Sequence, residues 1–163
     1  MRGYLGSCAF FIFCGVMEKK STAVFIGHSD CYGVTVDAVT PVIEEAIKSG
    51  IDTFLNGGQG GFDRLCARAV FNLKQKYPQI KNYLVIPYQR FRIFDKELFD
   101  EIIYPFEEER ESYYSYKSAI PKRNKWMIEH SSTAICYVTH PSSGAYKTFD
   151  LAIKSGLKIS PVV

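Results

Sequence analysis

The residues best suited to chemistry in this chain are glycines, set between a strand-like run and a helix-like one. Phe54-Leu55 leads into Asn56-Gly-Gly-Gln-Gly-Gly-Phe-Asp63, which holds four glycines among the five residues 57–61. Phe62, Leu65, Cys66, Ala69, Val70 and Leu73 then fall at offsets 0, 3, 4, 7, 8 and 11, one face of a helix with 3.6 residues per turn. Strand, glycine turn and helix together suit a phosphate. Glycine lacks the Cβ that would hold a ligand away and tolerates positive φ. A helix N-terminus adds unpaired N–H groups and the positive end of its dipole. Gly57, Gly58, Gly60 and Gly61, with Gln59 among them, are therefore expected to cradle phosphate through backbone N–H groups. Asp63 in the first helical turn either accepts from a ribose hydroxyl or complements the helix dipole.

Other candidates stand singly. His28, between Gly27 and Ser29, suits ligand bonding or acid–base work. Arg123 suits a bidentate phosphate contact, or else surface pairing with the acidic run 107–111, and Asn124 suits holding a sugar or a loop. Trp126 and Met127 read as core, as do Tyr113, Tyr114 and Tyr116, rather than as platforms for a base. The usual signatures are missing: only Gly27 stands where G-x-G-x-x-G is expected, no Gly-Lys-Ser/Thr follows the glycine turn, and there is no G-x-S-x-G. The three histidines, His28, His130 and His140, lack metal-ligand spacing, and the five cysteines form no C-x-x-C pair. No metal site is expected. Cys66 and Cys136 read as small core residues, and the pattern suits a reducing cytoplasm.

The elements that must position these residues alternate. Short apolar runs at 22–27, 54–55, 82–87, 132–139 and 157–163 read as buried strands. Helices are expected over about 35–49, from Phe62 to about Tyr77, over Phe94–Ile103, from Pro121 in a first turn, and from Ala145. Ile102-Ile103-Tyr104 reads equally as a short strand. Pro41 either kinks the first helix or begins it after a Thr40 cap. Ala46-Ile-Lys-Ser-Gly50-Ile51 and Ala152-Ile-Lys-Ser-Gly156-Leu157 are nearly one segment used twice, each a glycine-capped helix end entering a strand. This βα alternation predicts an α/β three-layer sandwich with a mainly parallel sheet, whose ligand site lies beyond the strands' carboxyl ends.

At 163 residues, 47% apolar and 23% charged, the chain is of single-domain size and globular composition. Residues 17–163 are expected to form that domain and 1–16 an extension outside it. Ala9–Phe13 is far shorter than the roughly 20 residues of a membrane span; a secretory signal or anchor is the weaker reading there. A net charge of +3 argues against nucleic acid as partner. No membrane partner is expected, and a homo-oligomer stays open.

Taken in order, Phe25-Ile26-Gly27-His28, Asn56–Asp63, Ile86-Pro87-Tyr88, Arg123-Asn124 and Ser143-Gly144-Ala145 resemble the YpsA-like branch of the SLOG superfamily. That superfamily groups the DNA-processing protein DprA/Smf with the LOG phosphoribohydrolases. The resemblance covers about residues 22–163 and implies a Rossmann-like domain for a nucleotide-derived ligand of NAD, ADP-ribose or nucleoside monophosphate type. It adds Pro87 and Tyr88 to the candidate ligand residues. Ser29 stands where the family usually has arginine. Ser143-Gly144-Ala145 replaces Gly-Gly-Thr, with Ser142 or Ser143 supplying the hydroxyl. LOG enzymes carry a glutamate after that turn; here Asp150 is the nearest carboxylate. Binding or sensing of a nucleotide is the expected function. Hydrolysis of an N-glycosidic bond by Asp63 or Asp150, assisted by His28, is the alternative, and a DprA-like single-strand DNA binder ranks third.

Overall fold

Thr22–Gly27 forms strand β1 and divides its side chains between two layers. Ala23 and Phe25 enter one apolar cluster, Val24 and Ile26 another, all at most 3% exposed. That alternation is the period-two geometry of a strand buried on both faces. Helices α1 (Val36–Lys48) and α2 (Gly61–Leu73) cover the first face, through Val39, Ile43, Phe62, Cys66 and Val70. Helices α3 (Tyr113–Glu129) and α4 (Gly144–Lys154) cover the second, through Met127, Ile128 and Ala152. The computed structural model describes residues 17–106 and 113–163, with the backbone alone at 113–117. The extension 1–16, the acidic run 107–111 and the side chains of Tyr113, Tyr114 and Tyr116 lie outside the described residues.

The remaining strands are β2 (Thr53–Asn56), β3 (Lys81–Val85), β4 (Glu101–Ile103), β5 (Thr133–Tyr137) and β6 (Lys158–Pro161). The sheet runs β4-β3-β2-β1-β5-β6 and every pairing is parallel. The chain winds outward from β1 to β4, then crosses to β5 on the other flank of β1. The α/β three-layer, Rossmann-like expectation is met, with a sheet that is wholly parallel. Strand order reverses between β1 and β5, where such sheets leave a crevice at their carboxyl ends.

Two element readings need correction, and one open choice is decided. No helix spans Phe94–Ile103: a 3-10 turn at Lys96–Leu98 precedes edge strand β4. The sheet edge captures this segment. Asp100 accepts the Asn82 N–H at 2.7 Å, and its own N–H donates to the Asn82 carbonyl at 2.9 Å. Pro121 does not open its helix but lies inside α3. Pro41 likewise lies inside α1, which begins after Thr35, whose Oγ1 accepts from the Ala38 N–H at 3.3 Å. Thr40 is no cap; it donates to the Val36 carbonyl at 2.7 Å. The repeated segment behaves as read. Ile51 N–H to Ala46 O and Leu157 N–H to Ala152 O, at 3.0 and 3.1 Å, close two matching turns, with φ +107° at Gly50 and +78° at Gly156. Both are Schellman caps delivering a helix into a strand.

Candidate functional site

The turns after β1, β2 and β5 meet α3 and α4 around a cleft of about 780 Å³ at the switch between β1 and β5. Its walls include Gly27, His28 and Ser29 from the first turn, and Gly57, Gln59, Gly60 and Asp63 from the glycine turn. Arg123 and Asn124 of α3 join them, with Ser143, Gly144 and Asp150 of the β5–α4 region. Gly58, Gly61, Pro87, Tyr88 and Ser142 are not among its lining residues. Pro87 is buried, and Tyr88 packs edge-on against Phe91 with ring centres 5.7 Å apart.

The glycine turn is not an open nest of donors. Gly58 N–H bonds the Asn56 side-chain oxygen at 2.7 Å, and Gln59 N–H bonds Asp63 Oδ2 at 2.9 Å. Gly61 N–H donates to the Ser29 carbonyl at 2.8 Å and Phe62 N–H to the His28 carbonyl at 3.4 Å. The N-terminus of α2 is thus closed by the protein's own acceptors. Its glycines answer to packing. A Cβ at Gly60 would stand 2.6 Å from Ser29 Cα, and one at Gly61 2.6 Å from Ser29 O. Close approach here is between the β1 turn and α2. Gly58 sits at φ +62°, a conformation that favours glycine.

Arg123 is neither a surface residue nor an open phosphate hook. It is 1% exposed. Nη1 donates to Gly57 O at 2.7 Å and Val85 O at 2.8 Å, Nη2 to Gln59 Oε1 at 3.0 Å, and Nε to Asn124 Oδ1 at 2.8 Å. Four of its five N–H bonds are spent on the protein. Burial lowers its pKa to about 10, against the pull of Asp63 and Tyr88. Asn124 continues the chain of contacts to α4, donating to Thr148 Oγ1 at 3.1 Å. The Arg123-Asn124 pair therefore clamps α3 to both walls of the cleft.

Asp63 caps the turn in front of its own helix. Desolvation raises its pKa, opposed by the Gln59 and Gly60 N–H groups and by Arg123. Asp150 is half-exposed and paired with Lys154 on α4 at 2.5 Å. The two candidate carboxylates thus sit in different settings, one desolvated and one in a solvent-facing ion pair.

His28 is 5% exposed and accepts the Thr139 N–H at Nε2, 2.8 Å away. The neutral ring consequently carries its proton on Nδ1. In this state it offers a donor and no free basic nitrogen. Its ring stacks on His140, 4.0 Å between centroids and 3° from parallel. Burial, then His140, lowers its pKa below the ordinary 6.5. A histidine held neutral contributes stability that is complete above pH 6.5 and is lost as pH falls toward its folded value. Urea unfolding of the wild type is expected to weaken between pH 7 and 5 more steeply than that of His28→Gln; equal slopes would refute the assignment.

The N-terminus of α4 differs from that of α2. Ser143 caps it, its Oγ accepting from Tyr146 N–H at 3.0 Å. The Gly144 and Ala145 N–H groups have no acceptor among the described residues, and both residues line the cleft. These are open donors at the switch point. Sequence reasoning missed His140, Asp30, Lys147 and Thr148 as lining residues. His140 was legible in principle, since it and His28 follow the two strands that flank the switch. Among the described residues, no group of three or more His, Cys, Asp or Glu is arranged to hold a metal, and no helix is long and apolar enough to cross a membrane.

The family model YpsA, described as the YspA SLOG family, matches residues 20–157. The chain belongs to the YpsA family of SLOG proteins. Similar proteins include the uncharacterized SPbeta prophage-derived protein YoqJ of Bacillus subtilis strain 168, 29% identical over 140 residues, or 74% of this chain and 81% of YoqJ. A UPF0398 protein of Lactiplantibacillus plantarum is 32% identical over 68 residues, 42% of this chain and 36% of its own. The fold of this YpsA-family chain is similar to that of DNA processing protein A from Streptococcus pneumoniae, with TM-score 0.60 and 18% identity, over 86% of this chain and 50% of that one. Helicobacter pylori DNA processing protein A, which binds single-stranded DNA, matches with TM-score 0.57 and 16% identity over 85% of this chain and 63% of its own. The YpsA-family chain thus spans about half to two-thirds of the DprA structures it resembles.

Proposed function

We propose that the cleft binds or senses an anionic, nucleotide-derived ligand, of NAD, ADP-ribose or nucleoside monophosphate type, held at the N-terminus of α4. The observation that carries this reading is the pair of unengaged N–H groups of Gly144 and Ala145 beside Ser143, at the β1–β5 switch point. Helix dipole and free donors both favour a phosphate there. His28 Nδ1–H supplies a further neutral donor. The cleft volume of about 780 Å³ suits a small molecule of this class. The glycine turn serves as a braced wall rather than the cradle.

Gly144→Asp tests the reading cleanly. A Cβ at Gly144 meets nothing within 4 Å, and a carboxylate in the first turn of a helix does not harm its stability. Calorimetry against NAD, ADP-ribose and AMP is expected to show binding to the wild type and a loss of about tenfold to a hundredfold in the variant, the effect of one charge contact of 1.4–3 kcal/mol. Undiminished binding in Gly144→Asp would remove the helix terminus from the site. No binding in either protein would remove the ligand class.

Hydrolysis of an N-glycosidic bond is the second reading, supported by the desolvated, raised Asp63 carboxyl on the cleft wall. It requires free base to appear when nucleoside monophosphates are incubated with the protein, and that release to stop in Asp63→Asn. The likeness to the H. pylori DNA binder supplies a third occupant, single-stranded DNA. That reading requires oligonucleotide affinity that falls steeply with salt.

A further inference from the structure

Arg64 and Arg92 come from different parts of the chain and meet over one ring. Arg64 lies in the first turn of α2 and Arg92 in the connection from β3 to β4. Their guanidinium carbons stand 4.2 and 4.7 Å from the centre of the exposed Phe94 ring. Neither guanidinium has an ion-pair or hydrogen-bond partner among the described residues. Cation–π contact orients both and leaves their N–H groups open. Two like charges gathered without an anion repel each other, and an anion between them completes the arrangement.

The pair is presented on a braced surface. Leu98, 3% exposed, donates its N–H to the Asp95 carbonyl at 2.9 Å and ties down the chain just beyond Phe94. Along α2, Arg68 and Phe71 follow Arg64 at offsets of four and seven, hence on the same helix face. Arg68 is exposed and has no ion-pair partner among the described residues. Phe71 and Phe94 are 40% and 38% exposed. None of these residues lines the cleft. The crevice beside Arg64 and Phe94 measures about 10 Å³, room for one water. Asp63 and Asp95 line it too, yet neither forms an ion pair with Arg64. An occupant of this surface therefore lies across it; a small molecule has no pocket to enter.

A basic surface with exposed aromatic rings suits two kinds of macromolecule. A single nucleic-acid strand needs a continuous positive track and rings open for stacking. Here the exposed Asp95 and Glu97 carboxylates stand directly after Phe94, and Phe94 already supports two guanidiniums. An acidic polypeptide fits these features better. Its carboxylates meet the planar forks in bidentate fashion, and apolar side chains between them cover the exposed rings.

We propose that Arg64, Arg68, Arg92 and Phe94 form a docking surface for an acidic segment of a partner protein, its carboxylates paired with the guanidiniums and an apolar side chain laid on Phe71 or Phe94. This surface is separate from the cleft and works whatever the cleft holds.

Fluorescence anisotropy of the full chain tests this with three labelled probes. They are a ten-residue peptide alternating glutamate and leucine, the same peptide with glutamine for glutamate, and a ten-nucleotide oligothymidylate. The acidic peptide is expected to bind at least tenfold more tightly than the glutamine peptide. Arg64→Gln and Arg92→Gln are each expected to weaken it about threefold, as exposed charge pairs do, and the double variant about tenfold. Thermal melting shows that these exposed positions leave the fold intact. Lys19→Gln with Lys20→Gln, which removes as much charge from another exposed segment, is expected to change the affinity less than twofold. Failure of the acidic peptide to bind, equal binding of the glutamine peptide, or equal losses in the arginine and lysine double variants would each overturn the proposal. So would tighter binding of the oligothymidylate that is lost in the arginine double variant, since the surface would then belong to nucleic acid.

Discussion

Replacing Arg123 with methionine is expected to cost the fold about 3–5 kcal/mol, the range for breaking a buried, hydrogen-bonded charge. Methionine fills much of the volume, so the loss is polar. The Gly57 and Val85 carbonyls lose their donor, and each buried acceptor left unpaired costs about 1–3 kcal/mol. Gln59 Oε1 and Asn124 Oδ1 lose theirs at the edge of the cleft. For a domain of this size the change corresponds to a fall in Tm of about 6–20 °C, at 2–4 °C per kcal/mol. Arg123→Lys is expected to recover little, since one ammonium cannot reproduce a planar fork aimed at acceptors on separate strands and turns. Urea unfolding followed by circular dichroism measures both. A loss below about 1 kcal/mol in Arg123→Met would show that the guanidinium serves the ligand and that the clamp is incidental. The same experiment bears on the cleft. The glycine turn is held against the end of β3 by Arg123, and its wall should loosen when the guanidinium goes.

How much of this was legible beforehand divides along a physical line. The alternation of Ala23, Val24, Phe25 and Ile26 between two clusters is a property of chain period, and period is written in sequence. So are the two Schellman turns, because Gly50 and Gly156 must take positive φ. The gathering of the β1, β2 and β5 turns into one crevice followed from parallel order, which equally suggested the turn after β3, whose Pro87 and Tyr88 do not line it. What sequence did not carry was occupancy. Nothing local says that Ser29 O has already taken the Gly61 N–H of the glycine turn. Nothing local says that Arg123, in a polar stretch beside Lys122 and Lys125, turns inward to 1% exposure. These are contacts between residues 32 to 66 positions apart, set only when α2, α3 and β3 pack. The edge strand at Glu101–Ile103 stayed undecided against a helix for a similar reason. Its apolar residues suit either a helix or a strand, and the choice is made by the exposed edge of β3. Hence the cleft's location was readable while the division of its residues into braces and open donors was not.

Gly27→Ala separates those two classes at the centre of the site, and its expected effect is the next largest. Gly27 lines the cleft, where a glycine leaves room for a ligand. The structure gives it another neighbour. A Cβ there would stand 2.2 Å from Phe62 Cδ1 and 2.3 Å from Phe62 Cγ. Phe62 is 0% exposed in the core beneath α2, its ring 5.9 Å from that of Tyr137, so it has no room to swing aside. Overpacking of this kind costs about 1–3 kcal/mol or more, and the upper end applies because the overlap falls on a ring. Phe62→Ala alone is expected to cost about 3–5 kcal/mol through its cavity. The double variant is expected to be more stable than the sum of the two losses predicts, by about 1–3 kcal/mol, because the alanine methyl then occupies space that Phe62 has vacated. Urea unfolding of the four proteins measures this coupling. Additive losses would mean that Phe62 does not dictate Gly27. A Gly27→Ala variant of undiminished stability that no longer binds ligand would return the glycine to the role its sequence context suggests, and make the β1 turn itself the anion site.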